Sequence, residues 1–192
     1  MIVIFGGAFN PPTIAHQKIA QHILKRHEVT ELLFVPVGDN YQKAQLIPAV
    51  HRVKMLSLMC DELANASVDA TEINATRALK TVETLKILQD KYPGEPLAFV
   101  MGADNLHDLA NWHGYEDLIN QFTIIVFNRK QRDVEGFISN NFAGAASNFL
   151  IIQDFEELDI SSTQYRSDVK QSELLLSTVR DYIKENNLYG VD

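Results

Sequence analysis

The chain has 192 residues, 46% of them apolar, enough for one sizeable core and too few to make two ordinary domains the expectation. With 17 Lys plus Arg against 25 Asp plus Glu, the net charge of -8 repels a polyphosphate backbone, which argues against DNA or RNA as the main partner. The single cysteine, Cys60, lies in the apolar run Met55–Cys60, which excludes an intrachain disulfide framework and a cysteine-based zinc site.

Short apolar runs alternate with stretches of helical period, the pattern of parallel βαβ units in an α/β chain. Strands are predicted near Ile2–Phe5, Glu31–Val37, Ser67–Ile73, Leu97–Met101, Thr123–Phe127 and Phe149–Gln153. Between them, Ile14, Ile19, Ile23 and Leu24 form one apolar stripe, Val53, Leu56, Leu58 and Met59 a second, and Val82, Leu85 and Leu88 a third, so helices are expected to cover the sheet. A last helix is predicted over Leu174–Asn187, with the Asn186-Asn187 pair suited to a left-handed cap. Two long connections, Gly38–Pro48 and Arg129–Asn148, read as the mobile, substrate-covering pieces. The expected organisation is a single domain over residues 1–192, its C-terminal helical part beginning near 160. No charged start leads into a long apolar stretch with a cleavage site, and no run approaches the roughly 20 apolar residues that cross a bilayer. A cytoplasmic protein without a membrane partner is therefore expected, and the sequence leaves a homo-oligomer open.

The stretch GGAFNPPTIAH, Gly6 to His16, follows directly on the first strand, where ligands of open parallel sheets sit. Gly6 and Gly7 lack β-carbons and allow backbone N–H groups to approach an anion, and the helix that follows turns its positive end toward the same point. Pro11 and Pro12 stiffen the entry to that helix. His16, in the first turn, can donate to phosphate and stabilise charge as a phosphoanhydride breaks. Far downstream, Ile160-Ser161-Ser162-Thr163-Gln164-Tyr165-Arg166 opens a second helix with polar caps and sets an arginine fork one turn later. Taken alone, each stretch has a plainer reading: a tight turn with a packed histidine, and an ordinary cap with a solvated arginine. Neither a GxxxxGK[ST] loop nor a GxGxxG turn after a strand is present, so a P-loop enzyme and an ordinary dinucleotide-binding dehydrogenase are not indicated. His22, His27, His51, His107 and His113 do not pair at metal-binding spacings, and no protein-held metal is expected.

Together the two stretches resemble the nucleotidyltransferases with a (H/T)xGH signature and a distal ISSTxxR signature. Thr13-Ile14-Ala15-His16 supplies the first, with Ala15 where that superfamily has glycine, and Ile160–Arg166 matches the second at every fixed position. Within it the chain is similar, almost end to end, to the nicotinate mononucleotide adenylyltransferase family. Thr81–Leu85 resembles the family's TxDTL segment, Met101–Leu106 its GxDxL strand end, Asn111-Trp112-His113 its tryptophan turn, Asn128-Arg129 its NR, and Tyr182-Ile183 with Leu188-Tyr189 its terminal helix.

The resemblance implies a Rossmann-like open parallel sheet with helices on both faces and a C-terminal helical segment. It implies transfer of AMP from ATP, with Mg²⁺, to nicotinate mononucleotide in NAD biosynthesis, and release of pyrophosphate. By the same resemblance His16 and Arg166 are catalytic, and Gly6, Gly7, Ala8, Phe9, Thr13, Ser161, Ser162 and Thr163 bind ATP and its phosphates. Thr81, Gly102, Asp104 and Trp112 would hold the acceptor, Trp112 by stacking on the pyridine ring. Asp104 reads alternatively as a helix N-cap, and Trp112 as a core residue. Lys43 stands as the remnant of a PPHK loop, with Tyr41-Gln42 replacing Pro-His. Other acceptors (nicotinamide mononucleotide or a pantetheine phosphate) and a non-catalytic nucleotide-binding paralogue remain open, and His113 suits either pyridine substituent according to its protonation.

Overall fold

Apolar runs become strands wherever both faces are covered, and Leu32-Leu33-Phe34-Val35 and Ile124-Ile125-Val126-Phe127 are buried at every position. The computed structural model describes residues 1–128, 133–156 and 158–191. In chain order it comprises β1 (Ile2–Gly7), α1 (Ile14–Leu24), β2 (Glu31–Pro36), α2 (Ala49–Cys60), β3 (Ala66–Val68), α3 (Thr81–Lys91), β4 (Leu97–Gly102), α4 (Ala103–Asp108) and α5 (Tyr115–Gln121). Then follow β5 (Thr123–Phe127), α6 (Val134–Asn141), β6 (Phe149–Ile152), α7 (Ser162–Ser167) and α8 (Ser177–Glu185), with short 3₁₀ turns between several of them. The strands form one six-stranded sheet in the order β3-β2-β1-β4-β5-β6. That is the order of a doubly wound, Rossmann-like sheet, which switches between β1 and β4.

The chain divides into two compact units, Met1–Gly6 with Leu79–Glu157 and Gly7–Ala78 with Leu158–Asp192. In the first, β1 runs parallel to β4 (Ile4 opposite Phe99), β4 to β5 and β5 to β6. Val82, Leu85 and Leu88 of α3 are buried as their spacing predicts. In the second, β2 runs parallel to β3, and Ile19 and Ile23 of α1 are buried. A separate cluster there joins Met55 of α2 to Tyr165, Leu174, Leu175, Val179 and Ile183, which anchors the C-terminal helical segment. Ile183 is fully buried; Ile183→Ala would cost about 2–5 kcal/mol of stability. Among the described residues, no helix is long and apolar enough to cross a membrane.

Several boundaries differ from the sequence pattern for identifiable reasons. β3 stops at Val68 because the Asp69 carboxylate accepts the Thr71 N–H at 2.8 Å, turning the chain out of the ladder. The last helix begins at Ser177 rather than Leu174, since Leu174 and Leu175 are buried in a 3₁₀ turn and the extended residue that follows. Asn187 does adopt the left-handed conformation, at φ 49°. The connection read as mobile over Arg129–Asn148 is instead helical from Val134, capped by Asp133, whose Oδ1 accepts the Gly136 N–H at 2.8 Å. Arg129 of the Asn128-Arg129 pair lies outside the described residues. The buried stripe of α2 is Ala49, Arg52, Met55, Leu56 and Met59 rather than one built on Val53 and Leu58.

Candidate active site

The glycine pair belongs to β1, which continues through Gly7 rather than ending at Phe5. Neither glycine has a positive φ; what each supplies is room for an aromatic ring. A β-carbon on Gly7 would stand 3.1 Å from Cζ of Phe9, and one on Gly6 would stand 3.2 Å from Cε2 of Phe99. The buried Phe9, at φ 46°, meets the His16 imidazole edge to face with centroids 5.2 Å apart, and Phe34 at 5.5 Å. Pro11 and Pro12 precede the helix cap rather than entering the first turn, since Thr13 is the N-cap of α1 and His16 its third residue.

Thr13 is fully buried and fixes the histidine. Its backbone N–H donates to Nδ1 of His16 at 3.0 Å, and its Oγ1 lies 2.8 Å from the same nitrogen. A ring nitrogen that accepts an N–H carries no proton, so the neutral imidazole holds its proton on Nε2. His16 is thereby a donor fixed at the N-terminal end of α1.

Asn10 organises the rest of this unit. Its backbone carbonyl accepts from Nη1 of Arg166 at 2.7 Å, its Oδ1 accepts from the Tyr189 hydroxyl at 2.8 Å, and its Nδ2 donates to the Gln45 carbonyl at 2.7 Å. Burial pushes the Tyr189 phenol above its ordinary range, which keeps it a neutral donor. Ser162 donates to the Pro11 carbonyl at 2.7 Å, Ser161 caps α7 by accepting the Gln164 N–H at 3.1 Å, and Thr163 Oγ1 accepts from Nη2 of Arg166 at 3.2 Å. The distal signature is thus fastened to the Asn10-Pro11 turn, while the buried Nε of Arg166 has no hydrogen-bond partner. Lys43 is held below the ordinary lysine range by desolvation and then by the Arg166 guanidinium, so two cations share one neighbourhood in a chain of net charge -8. An anion is what such a pair lacks.

In the other unit, Phe99, seated over Gly6, meets the half-buried Trp112 edge to face at 6.2 Å. Gly114, left-handed at φ 65°, lies so close to Val82 that a β-carbon would stand 2.9 Å from its Cγ1. This packs the Trp112 turn against the start of α3, where Thr81 is the first helical residue. Gly102 ends β4 and caps α4; Asp104, exposed in the first turn, is therefore not that helix's N-cap. Thr81, Trp112 and their supports come together here, with Gly102 and Asp104 at the end of β4.

Sequence reasoning missed Arg52. It is fully buried, and it donates through Nε to the Ile47 carbonyl at 2.9 Å, through Nη1 to the Ala8 carbonyl at 3.2 Å and through Nη2 to Oδ1 of Asp39 at 3.2 Å. A charged residue at helical spacing from Met55, Leu56 and Met59 was the available signal.

A switch-point sheet whose first strand ends in a glycine pair, a fixed histidine at a helix start and a distal serine-threonine-arginine helix define a nucleotidyltransferase. The family model described as Cytidylyltransferase-like matches residues 4–168, which include both signatures. Among curated relatives, the probable nicotinate-nucleotide adenylyltransferase of Acholeplasma laidlawii is 32% identical over 191 residues, 98% of this chain and 97% of the relative. The nicotinate-nucleotide adenylyltransferase of Bacillus subtilis is 28% identical over 194 residues, 98% of this chain and 97% of the relative. The Plasmodium falciparum nicotinic acid mononucleotide adenylyltransferase complexed with NaAD superposes with a TM-score of 0.82 at 21% identity, covering 100% of this chain and 98% of that one. The chain belongs to the cytidylyltransferase-like family and, within it, to the nicotinate-nucleotide adenylyltransferases.

Proposed function

We propose that this chain joins AMP from ATP to nicotinate mononucleotide, forming nicotinate adenine dinucleotide and pyrophosphate, with residues 1–192 acting as one nucleotidyltransferase domain. The observation that carries the reading is the His16–Thr13 pair, which assigns the imidazole proton to Nε2 at a helix start while Arg166 and Lys43 supply positive charge in the same unit.

The chemistry needs no covalent enzyme intermediate. An oxygen of the mononucleotide 5′-phosphate attacks the α-phosphorus of ATP; the new P–O bond forms as the bond to the β-bridging oxygen breaks, and pyrophosphate leaves with that electron pair. The protein aligns two polyanions and offsets the charge moving to the leaving group. His16 donates from Nε2, Arg166 and Lys43 add charge, and Ser161 and Thr163 offer hydroxyl protons. Trp112 gives its free face to the pyridine ring, and the backbone at Thr81 gives donors to the nicotinate carboxylate. Mg²⁺ would enter with ATP, held mainly by phosphate oxygens and water, and would supply charge neutralisation at the phosphates.

The test is pyrophosphate release from ATP and Mg²⁺ with nicotinate mononucleotide and, in parallel, nicotinamide mononucleotide. Rapid release with the nicotinate form alone is expected. Release with the amide alone would overturn the carboxylate selectivity, and silence with both would overturn the activity.

A further inference from the structure

Arg52 is one of the largest fully buried side chains among the described residues, and its charge faces no ligand in the mechanism above. Burying a guanidinium is expensive unless every donor direction is answered. Here the answers come from three separate places: the carbonyl of Ala8 just after β1, the carbonyl of Ile47 at the end of the 38–48 connection, and the carboxylate of Asp39 at its beginning. Asp39 also accepts the Ala49 N–H at 2.7 Å, capping α2 on which Arg52 sits. Asn10 fastens the same connection a second time, through the Gln45 carbonyl at 2.7 Å and the Ile47 N–H at 3.4 Å. At Gly38 a β-carbon would collide with the Glu72 carbonyl, which fixes where the segment starts. Between these anchors stands Lys43, exposed, with no ion-pair partner among the described residues.

We infer that Arg52 is a positioning residue: through Asp39, Ile47 and Ala8 it locks the Lys43-bearing segment in register with the turn between β1 and α1, so that Lys43 meets the acceptor phosphate without an ordering cost at binding. An irregular segment of eleven residues would otherwise lose conformational entropy each time a substrate bound, about 1–2 kcal/mol per residue ordered, and preorganisation removes that cost. The inference rests on the proposed activity for its consequence but not for its geometry.

Arg52→Met removes a fully buried guanidinium and leaves the Ile47 and Ala8 carbonyls without its donors, which can abolish folding, so the decisive variant is Asp39→Ala, whose side chain is 61% exposed. The experiment reads trypsin cleavage after Lys43, with cleavage after Lys18, exposed but inside α1, as the monitor of general unfolding. Faster cleavage after Lys43 by about tenfold or more, the loss expected when the hydrogen bonds from Arg52 and from the Ala49 N–H to one carboxylate are removed, with Lys18 unchanged, is the expected result. A wild-type rate at Lys43, or an equal rise at both sites, overturns the inference. In turnover, Asp39→Ala is expected to raise KM for the mononucleotide by a similar factor with kcat nearly unchanged; a fall in kcat alone overturns the positioning role. If neither pyridine mononucleotide is turned over, the activity has failed, and the cleavage ratio still decides whether Arg52 holds the segment.

Discussion

Nδ1 of His16 accepts the backbone N–H of Thr13 at 3.0 Å, so the neutral ring carries its proton on Nε2. A donor fixed before substrate arrives stabilises developing charge without reorganising, and removing one such donor lowers kcat about 10²–10³-fold. His16→Ala is expected to show that loss in pyrophosphate release while the fold survives, with a stability change of about 1 kcal/mol from the lost cap contact. Unchanged turnover would remove His16 from the chemistry. Thr13→Val, which keeps the backbone donor, should lose much less.

The ring of Phe9 stands where a side chain at position 7 would be. Gly7→Ala brings a methyl to 3.1 Å from Cζ and 3.3 Å from Cε2 of that ring, so Phe9 must give way slightly and its packing against His16 is disturbed. Overpacking of this kind costs about 1–3 kcal/mol. Phe9→Leu relieves the clash while leaving a cavity of its own. The two substitutions should therefore couple, the double variant being more stable than the sum of the singles by at least about 0.5 kcal/mol in denaturant unfolding. Strict additivity would mean that Gly7 serves the ligand rather than the ring.

Trp112 is supported on one edge by Phe99 and is only half buried, which leaves area for a planar guest. Base–aromatic stacking is worth about 1–3 kcal/mol on alanine substitution. Trp112→Ala should accordingly raise KM for the mononucleotide by about tenfold or more and leave KM for ATP unchanged. Equal effects on both substrates would mark Trp112 as a structural residue.

Much of this was legible in the sequence, and the parts that were not share a cause. The strand runs and the α3 stripe follow from period and apolarity, and the two signatures follow from residue identity at fixed spacing. Hidden from both were the partners of buried polar groups. Nothing local says that Asn10 bonds Tyr189, 179 residues away, or Arg166, 156 residues away. Arg52 was visible only as an anomaly on an apolar stripe, and its meaning depends on carbonyls whose position the fold sets. The glycine pair was read for anion approach, whereas its spacing to Phe9 and Phe99 is a packing requirement that emerges once the strands are aligned. Ser162 was read as a phosphate donor and is found donating to the Pro11 carbonyl.

Cys60, half-buried near the end of α2, gives a pH prediction. Burial, and then the neighbouring Asp61 carboxylate, push its thiol from an ordinary 9.0 up to about 12. The folded state thus holds the proton more tightly than the unfolded one. Its contribution to stability is complete below the unfolded value near 9.0 and is lost as pH rises through about 12. Cys60→Ala should flatten the decline in urea-unfolding stability across that alkaline window while leaving the curve near neutrality parallel to wild type. Native protein should also resist iodoacetamide at pH near 8, where an exposed thiol reacts readily through its thiolate fraction. Rapid alkylation without unfolding would contradict the burial argument.

Ala15 is the remaining departure from the family pattern, and two opposing effects act at it. It is the second residue of α1, 8% exposed, directly before His16. Glycine there raises the entropy lost on forming the helix, costing about 0.8–1.0 kcal/mol relative to alanine. It also bares the backbone, as the superfamily's glycine does, beside residues that the resemblance assigns to ATP. Ala15→Gly is therefore expected to lower Tm and, at the same time, to lower KM for ATP, a combination that loosening alone would not produce. A lowered Tm with a raised KM for ATP would mean that the methyl itself contacts the nucleotide, and that this chain has fitted its adenosine pocket around alanine.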